Sequence, residues 1–150
     1  MGSCFQYRSS KRTRSSTLRT TLFQRIHRSG CALRARSVML QLHGFSNATK
    51  TNAGRSANMI VSDTTKFPGR YARRVAEEFK FNFGKSHTRL YPLETRWLGG
   101  TNNHQANLVQ QLGSVGFLHL EMNPSFRQQL AATASVREQF FASILAGIGQ

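Results

Sequence analysis

The sequence predicts a small α+β domain, mainly helical, preceded by a disordered basic N-terminal segment. Three observations predict it. Apolar residues recur at helical spacing in 68–80, 106–112 and 125–148, and one compact apolar run, 115–122, has the length and the Gly and Pro flanks of a strand. Residues 1–45 hold nine of the chain's 21 Lys and Arg and no carboxylate, which sets them apart from everything that follows. At 150 residues the chain fits one domain of ordinary size. Three Pro, two Cys, no persistent heptad and no long apolar run exclude collagen-like, disulfide-scaffold, coiled-coil and membrane-spanning classes.

The formal net charge is +15, and residues 1–45 contribute +9 of it; the first carboxylate is Asp63. An Arg-rich, acid-free head with Ser9-Ser10 and Ser15-Ser16-Thr17 has the composition of a mitochondrial transit peptide. Leu18, Leu22 and Ile26 give it an apolar helical stripe, with Ser16 or Thr17 as N-cap and Gly30 beyond the end. At His43-Gly44-Phe45-Ser46, an aromatic followed by Ser resembles sites cut by mitochondrial processing peptidases. The resemblance implies import and cleavage, with 1–45 as leader, 46–57 as a flexible linker and 58–150 as the domain; a later cut before Ser56 is the variant of it. The competing reading of the same cations is a retained tail that binds RNA. Val38–Leu42, the apolar stretch of the head, is short and interrupted by Gln41, so no secretory signal is predicted.

Within the domain, Met59-Ile60-Val61 is a candidate short strand. Pro68 at the first helical position opens a helix over about 68–80, with Tyr71, Ala72, Val75, Ala76 and Phe79 on one face and Arg70, Arg73, Arg74 and Lys80 on the other. Phe79, Phe81 and Phe83 alternate up to Gly84, which predicts either an unwound, extended piece or aromatics covering a core edge. From Lys85 to Trp97, cations and aromatics interleave (Lys85, His87, Arg89, Tyr91, Arg96, Trp97), a mixture that can stack on unpaired bases and hold phosphates. The alternative places Tyr91, Leu93, Trp97 and Leu98 in the core around a turn at Pro92.

Gly99-Gly100 reads as a turn, since no Lys-Ser/Thr follows to make a phosphate loop. Asn102 or Asn103 caps a helix through Ala106, Leu108, Val109 and Leu112, which Gly113 ends. Val115–Met122 is the strand, with Leu118, Leu120 and Met122 on one face and Phe117 and His119 on the other. Finally, Asn123-Pro124-Ser125 leads into an amphipathic helix over about 125–148, capped by Ser125. Phe126, Leu130, Phe140, Phe141, Ile144, Leu145 and Ile148 fall on one side of its wheel with Arg137 near the centre, where a charge needs an anion or a route to water.

Patterns for catalysis are weak. Cys4 and Cys31 lie in the head, and His87, His104 and His119 have no metal-ligand spacing along the chain. No metal, cofactor, small-molecule substrate or enzymatic activity is therefore predicted. The expectation is a structural subunit of a large mitochondrial assembly in the matrix or on the matrix side of the inner membrane. As a ribosomal protein it would hold rRNA through Arg70, Arg73, Arg74, Lys80, Lys85, Arg89 and Arg96, and meet other subunits through Phe126, Leu130, Arg137, Phe141, Ile144 and Ile148. The alternative is an accessory or assembly subunit of an inner-membrane respiratory complex or ATP synthase, a membrane-associated partner.

Overall fold

The computed structural model describes residues 38–46, 57–111 and 116–149. The expected leader helix around Leu18, Leu22 and Ile26, most of the linker, and the expected helix stop at Gly113 lie outside these residues. The described residues form a small α+β domain of four helices and a four-stranded mixed sheet. In chain order the elements are β1 (Val38–Gly44), β2 (Met59–Ser62), α1 (Arg70–Phe83), β3 (Thr88–Leu90), α2 (His104–Gln111), β4 (Gly116–Met122), α3 (Pro124–Ala132) and α4 (Ala134–Gly149). The sheet runs β1-β4-β2-β3, with β1 parallel to β4, β2 antiparallel to β4, and β3 parallel to β2.

The first strand changes the domain boundary. Val38–Gly44, expected to leave with a leader ending at residue 45, pairs along its whole length with β4, from Val38 opposite Gly116 to Gly44 opposite Met122. Phe45, which follows it, is buried and donates its backbone N–H to the Met122 carbonyl. The folded domain therefore begins before residue 46 and not at 58. The cations upstream dominated the composition of the head and masked a period-two strand inside it.

Residues Phe117 to Met122 of β4 are all buried, because a central strand covered on both sides must be apolar or satisfied on both. On one side Leu118, Leu120 and Met122 join Met59, Val61 and Leu90 under α1, α3 and α4, which contribute Val75, Phe79, Phe126, Phe140 and Ile144. The rings of Phe79 and Phe140 stack with centroids 5.3 Å apart, and Phe83 meets Phe126 edge-on at 5.3 Å. Gly147 lets α4 lie directly on α1: a Cβ there would stand 2.7 Å from the Val75 backbone nitrogen. On the other side of the sheet, α2 sets Ala106 and Val109 against Phe117 and Met39.

Two helix expectations are corrected. Helix α1 starts at Arg70 with Gly69 as its N-cap, so Pro68 precedes the helix, and it runs on to Phe83 without unwinding. Phe79 and Phe83 are one turn apart on the core side while Phe81 is exposed, so the alternating Phe pattern arose from two helical faces. The predicted single helix over 125–148 is two, α3 and α4, separated at Thr133 (φ −120°, ψ 112°). Its cap is Asn123 and not Ser125: Asn123 Oδ1 accepts from the Phe126 N–H at 2.7 Å, with Pro124 next in line. No helix among the described residues is long and apolar enough to cross a membrane.

Candidate metal centre

The face of the sheet opposite the main core carries polar side chains at its middle. Strand alternation puts Gln41 and His43 of β1 on the same side as His119 and Glu121 of β4, and the parallel register sets Gln41 opposite His119 and His43 opposite Glu121. His119 is 3% exposed and Glu121 8%, while His43, on the edge strand, is open to solvent. His119 Nε2 lies 3.1 Å from Glu121 Oε1, within hydrogen-bond distance, and His43 Nδ1 lies 3.8 Å from the same oxygen. The two imidazoles meet edge-on, with centroids 4.9 Å apart.

One ligand atom from each of His43, His119 and Glu121 falls within 4.8 Å of the other two. Ligand atoms bound to one tetrahedral zinc at about 2.0–2.2 Å stand about 3.3–3.6 Å from one another. The two distances to the Glu121 oxygen, 3.1 and 3.8 Å, bracket that spacing. Burial also depresses the basicity of His119, bringing its pKa down to about 4 with help from the neighbouring His43. The imidazole is thus neutral at pH 7, the form that binds metal. Glu121 is pushed the other way, above the usual carboxylate range, by burial; His43 and Arg127 oppose that rise. The Arg127 guanidinium covers Gly44 and leaves no room for a Cβ there.

Beside these residues opens a cleft of about 500 Å³, walled by the loop between β3 and α2. The Gly99-Gly100 pair builds this wall. A Cβ on Gly99 would lie 2.5 Å from the Tyr91 ring, and one on Gly100 would lie 2.1 Å from His119 Nδ1, at a backbone φ of +64° that disfavours other residues. Ser62 Oγ, whose residue pairs with His119 across β2–β4, anchors the loop by donating to the Gly99 carbonyl at 2.7 Å. Asn103 caps α2, with Oδ1 accepting from the N–H groups of Gln105 and Ala106, and its Nδ2 donates to Gln41 Oε1. His119 Nδ1 is buried and has no hydrogen-bond partner among the described residues. Thr88 Oγ1 shares that status.

The residues expected to bind RNA differ in how far the domain already engages them. Arg70 stacks over the Tyr71 ring at 4.7 Å and donates to its hydroxyl, and Arg73 Nε donates to the Pro68 carbonyl at 2.8 Å. Arg74 and Lys85 are exposed. Lys80 is held at 2.8 Å by both Glu77 and Glu94; burial acts against its charge, but the two carboxylates prevail and raise its pKa. Arg89 donates to the carbonyls of Lys85 and Thr88. Arg96 lines the cleft.

Of the expected partner-binding residues, Phe126 and Ile144 are buried in the domain's own core, and Leu130 and Ile148 pack against it. Burial corrects the assignment of Phe126 and Ile144 as interface residues, while Leu130 and Ile148 remain half-buried. Phe141 is exposed together with Leu145. Arg137 is exposed and donates to the carbonyls of Leu130 and Ala131 at the end of α3, so its anion is a helix C-terminus of this same chain.

His43, Glu121 and Gln41 were not singled out from the sequence, and His119 was set aside. The readable signal was His119-Leu120-Glu121 inside a predicted strand, which places two ligand-type side chains on one face. Comparisons with family models, with curated proteins and with solved structures gave no match.

Proposed function

We propose that this chain is a small metal-dependent hydrolase, with His43, His119 and Glu121 as the ligands of a zinc ion at the floor of the cleft. The observation that carries the reading is the convergence of two imidazoles and a carboxylate beside an open cleft. Three protein ligands with a fourth position facing solvent is the pattern of catalytic zinc, whereas structural sites are closed by four. Two nitrogens and one oxygen suit zinc among the common divalent metals. Zinc in such a site supplies hydroxide near neutral pH and polarises a carbonyl or phosphoryl oxygen. This chain's part is to hold the ligands on adjacent strands, to keep His119 neutral by burial, and to shape the cleft with the Gly99-Gly100 wall. Gln41 acts through Asn103, tying the cap of α2 to the strand that carries His43.

The test is zinc binding by the full chain, measured by titration and metal analysis after dialysis. One zinc per chain is expected, lost on His43→Ala and on His119→Ala with the far-UV spectrum kept. Equal zinc content in the wild type and the double variant would refute the site.

The second reading is the mitochondrial structural subunit, either a ribosomal protein contacting rRNA or an accessory subunit of an inner-membrane complex. It rests on the acid-free head and on the exposed cations Arg70, Arg73 and Arg74 along the start of α1. The pairing of Lys80, Arg89 and Arg137 within the domain leaves it fewer free cations than the sequence offered. If a leader is removed, the cut lies upstream of Val38, since β1 belongs to the sheet. Salt-sensitive binding of RNA by the full chain, weakened when Arg70, Arg73 and Arg74 become Gln, is its test.

A further inference from the structure

The charges around the cleft point to the kind of molecule it takes. Among the described residues of the lining, Arg96 is the one permanently charged side chain and none is a carboxylate; Glu121 is with the candidate metal ligands. Arg96 is exposed and makes no hydrogen bond or ion pair among the described residues. Arg73, Lys80, Arg89 and Arg137, in contrast, each donate to an acceptor of the domain.

The segment that carries Arg96 is fixed in place. Tyr91 N–H donates to the Val61 carbonyl at 2.9 Å, Glu94 accepts from Leu90 N–H and from Lys80, and the buried Thr95 accepts from Trp97 N–H through its hydroxyl. The guanidinium is therefore presented from an anchored backbone beside an exposed indole, Trp97, that lines the same cleft. A guanidinium and a carboxylate match as two parallel N–H···O bonds, and the apolar face of an indole suits the hydrocarbon next to the acid.

We propose that the cleft binds a ligand bearing a single carboxylate on an apolar or aromatic body, with Arg96 pairing with the carboxylate and Trp97 covering the body. The proposal deepens the hydrolase reading, for which it names the substrate class as carboxylate-bearing amides or esters. It commits to a carboxylate over a phosphate because the planar fork of Arg96, the single permanently charged side chain among the described lining residues, matches the two coplanar oxygens of a carboxylate.

Trp97 is the chain's one tryptophan, so its fluorescence reports the cleft directly. The full chain, metal-free and zinc-loaded, is titrated with 3-phenylpropionate, with its neutral amide, and with phenyl phosphate. The carboxylate is expected to saturate the signal and bind about tenfold or more tightly than the amide, and Arg96→Gln to erase that preference with an unchanged thermal melt. Arg96→Lys should keep part of it, since the charge remains without the fork. Equal binding of acid and amide, or an Arg96→Gln variant that keeps the preference, would overturn the proposal. Phenyl phosphate binding more tightly than the carboxylate would overturn the choice of anion. Carboxylate selectivity in a protein that binds no zinc would support this inference and refute the hydrolase reading, which keeps the two separable.

Discussion

The two faces of β4 come from one run of seven residues and meet opposite surroundings. Leu118, Leu120 and Met122 enter an apolar core covered by three helices, in which every buried member is hydrophobic. Phe117, His119 and Glu121 face a thinner cover, where α2 closes only over Phe117 and the loop wall leaves a cleft over the polar pair. Burial stabilises the first face in proportion to area. On the second it works against charge, lowering the pKa of His119 and raising that of Glu121. The main core and the proposed metal site thus lie on opposite sides of one strand, and changes on each side should separate them.

The largest effect is expected where both faces depend on one element. β1 supplies Val38 and Leu40 to the main core and Gln41 and His43 to the polar face. Deleting residues 1–45 removes them together, exposes the edge of β4, and should leave a chain with no cooperative thermal transition and no zinc site. Deleting residues 1–36 should keep both, as circular dichroism melts and metal titration would show. A well-folded, zinc-binding 46–150 fragment would break the comparison at its root.

Next in size are single changes confined to one face. Leu120→Ala empties a fully buried site and should cost about 2–5 kcal/mol in urea unfolding while zinc stoichiometry in the folded fraction stays at that of the wild type. His119→Gln should do the reverse, abolishing zinc binding at a much smaller stability cost. If both variants lose both properties, the two faces are not separable.

The legible part of this molecule was the part written in local pattern. The apolar run 115–122 with its Gly and Pro flanks marks the strand found at Gly116–Met122, and the spacing of Ala72, Val75, Ala76 and Phe79 marks the buried face of α1, because each signal lies within one element. β1 escapes sequence reading for a physical reason: an edge strand is held by pairing with a distant partner, and Val38–Gly44 follows a run of Arg residues that bias composition toward a leader. The metal candidate was lost with it, since His43 fell on the far side of the presumed boundary from His119 and Glu121. The helix break at Thr133 had no Gly or Pro to announce it. A single wheel drawn through 125–148 therefore carried the wrong phase beyond that point and put Arg137 at the middle of an apolar face.

The polar face should also respond to acid in a way the apolar face does not. In the metal-free protein, His119 has a folded pKa near 4 against 6.5 when exposed. Between those values the unfolded chain holds a proton that the folded one lacks. The folded state therefore loses up to about 3 kcal/mol as pH falls from 6.5 to 4, and the contribution is fully present above 6.5. Glu121, raised by burial, has the opposite sign: its contribution is present at low pH and lost as pH rises through its folded pKa. His119→Gln should flatten the His part of this dependence in calorimetric melts over pH 4–7. An unchanged profile would mean that His119 is solvated in the native state.

The smallest effect is expected at Arg137, which a single-helix reading would make the largest. Placed mid-face on one long helix, it would need a buried anion from a partner, and Arg137→Met would strand that anion at a cost of about 2–5 kcal/mol of association. The break at Thr133 instead puts Arg137 in the first turn of α4, from which its Nη1 reaches back to the Leu130 and Ala131 carbonyls at 2.8 and 3.1 Å. These are carbonyls of the last turn of α3, which have no partner within their own helix, and a guanidinium there also meets the negative end of the helix dipole. Both the donor and the acceptors are open to water, which takes over most of the bonding when the side chain is changed. Arg137→Met should therefore cost about 0.5–1 kcal/mol in urea unfolding, with zinc binding untouched. A loss of several kcal/mol, or none of stability but a failure to assemble in cells, would return Arg137 to a partner interface and join α4 to the functional side of the molecule.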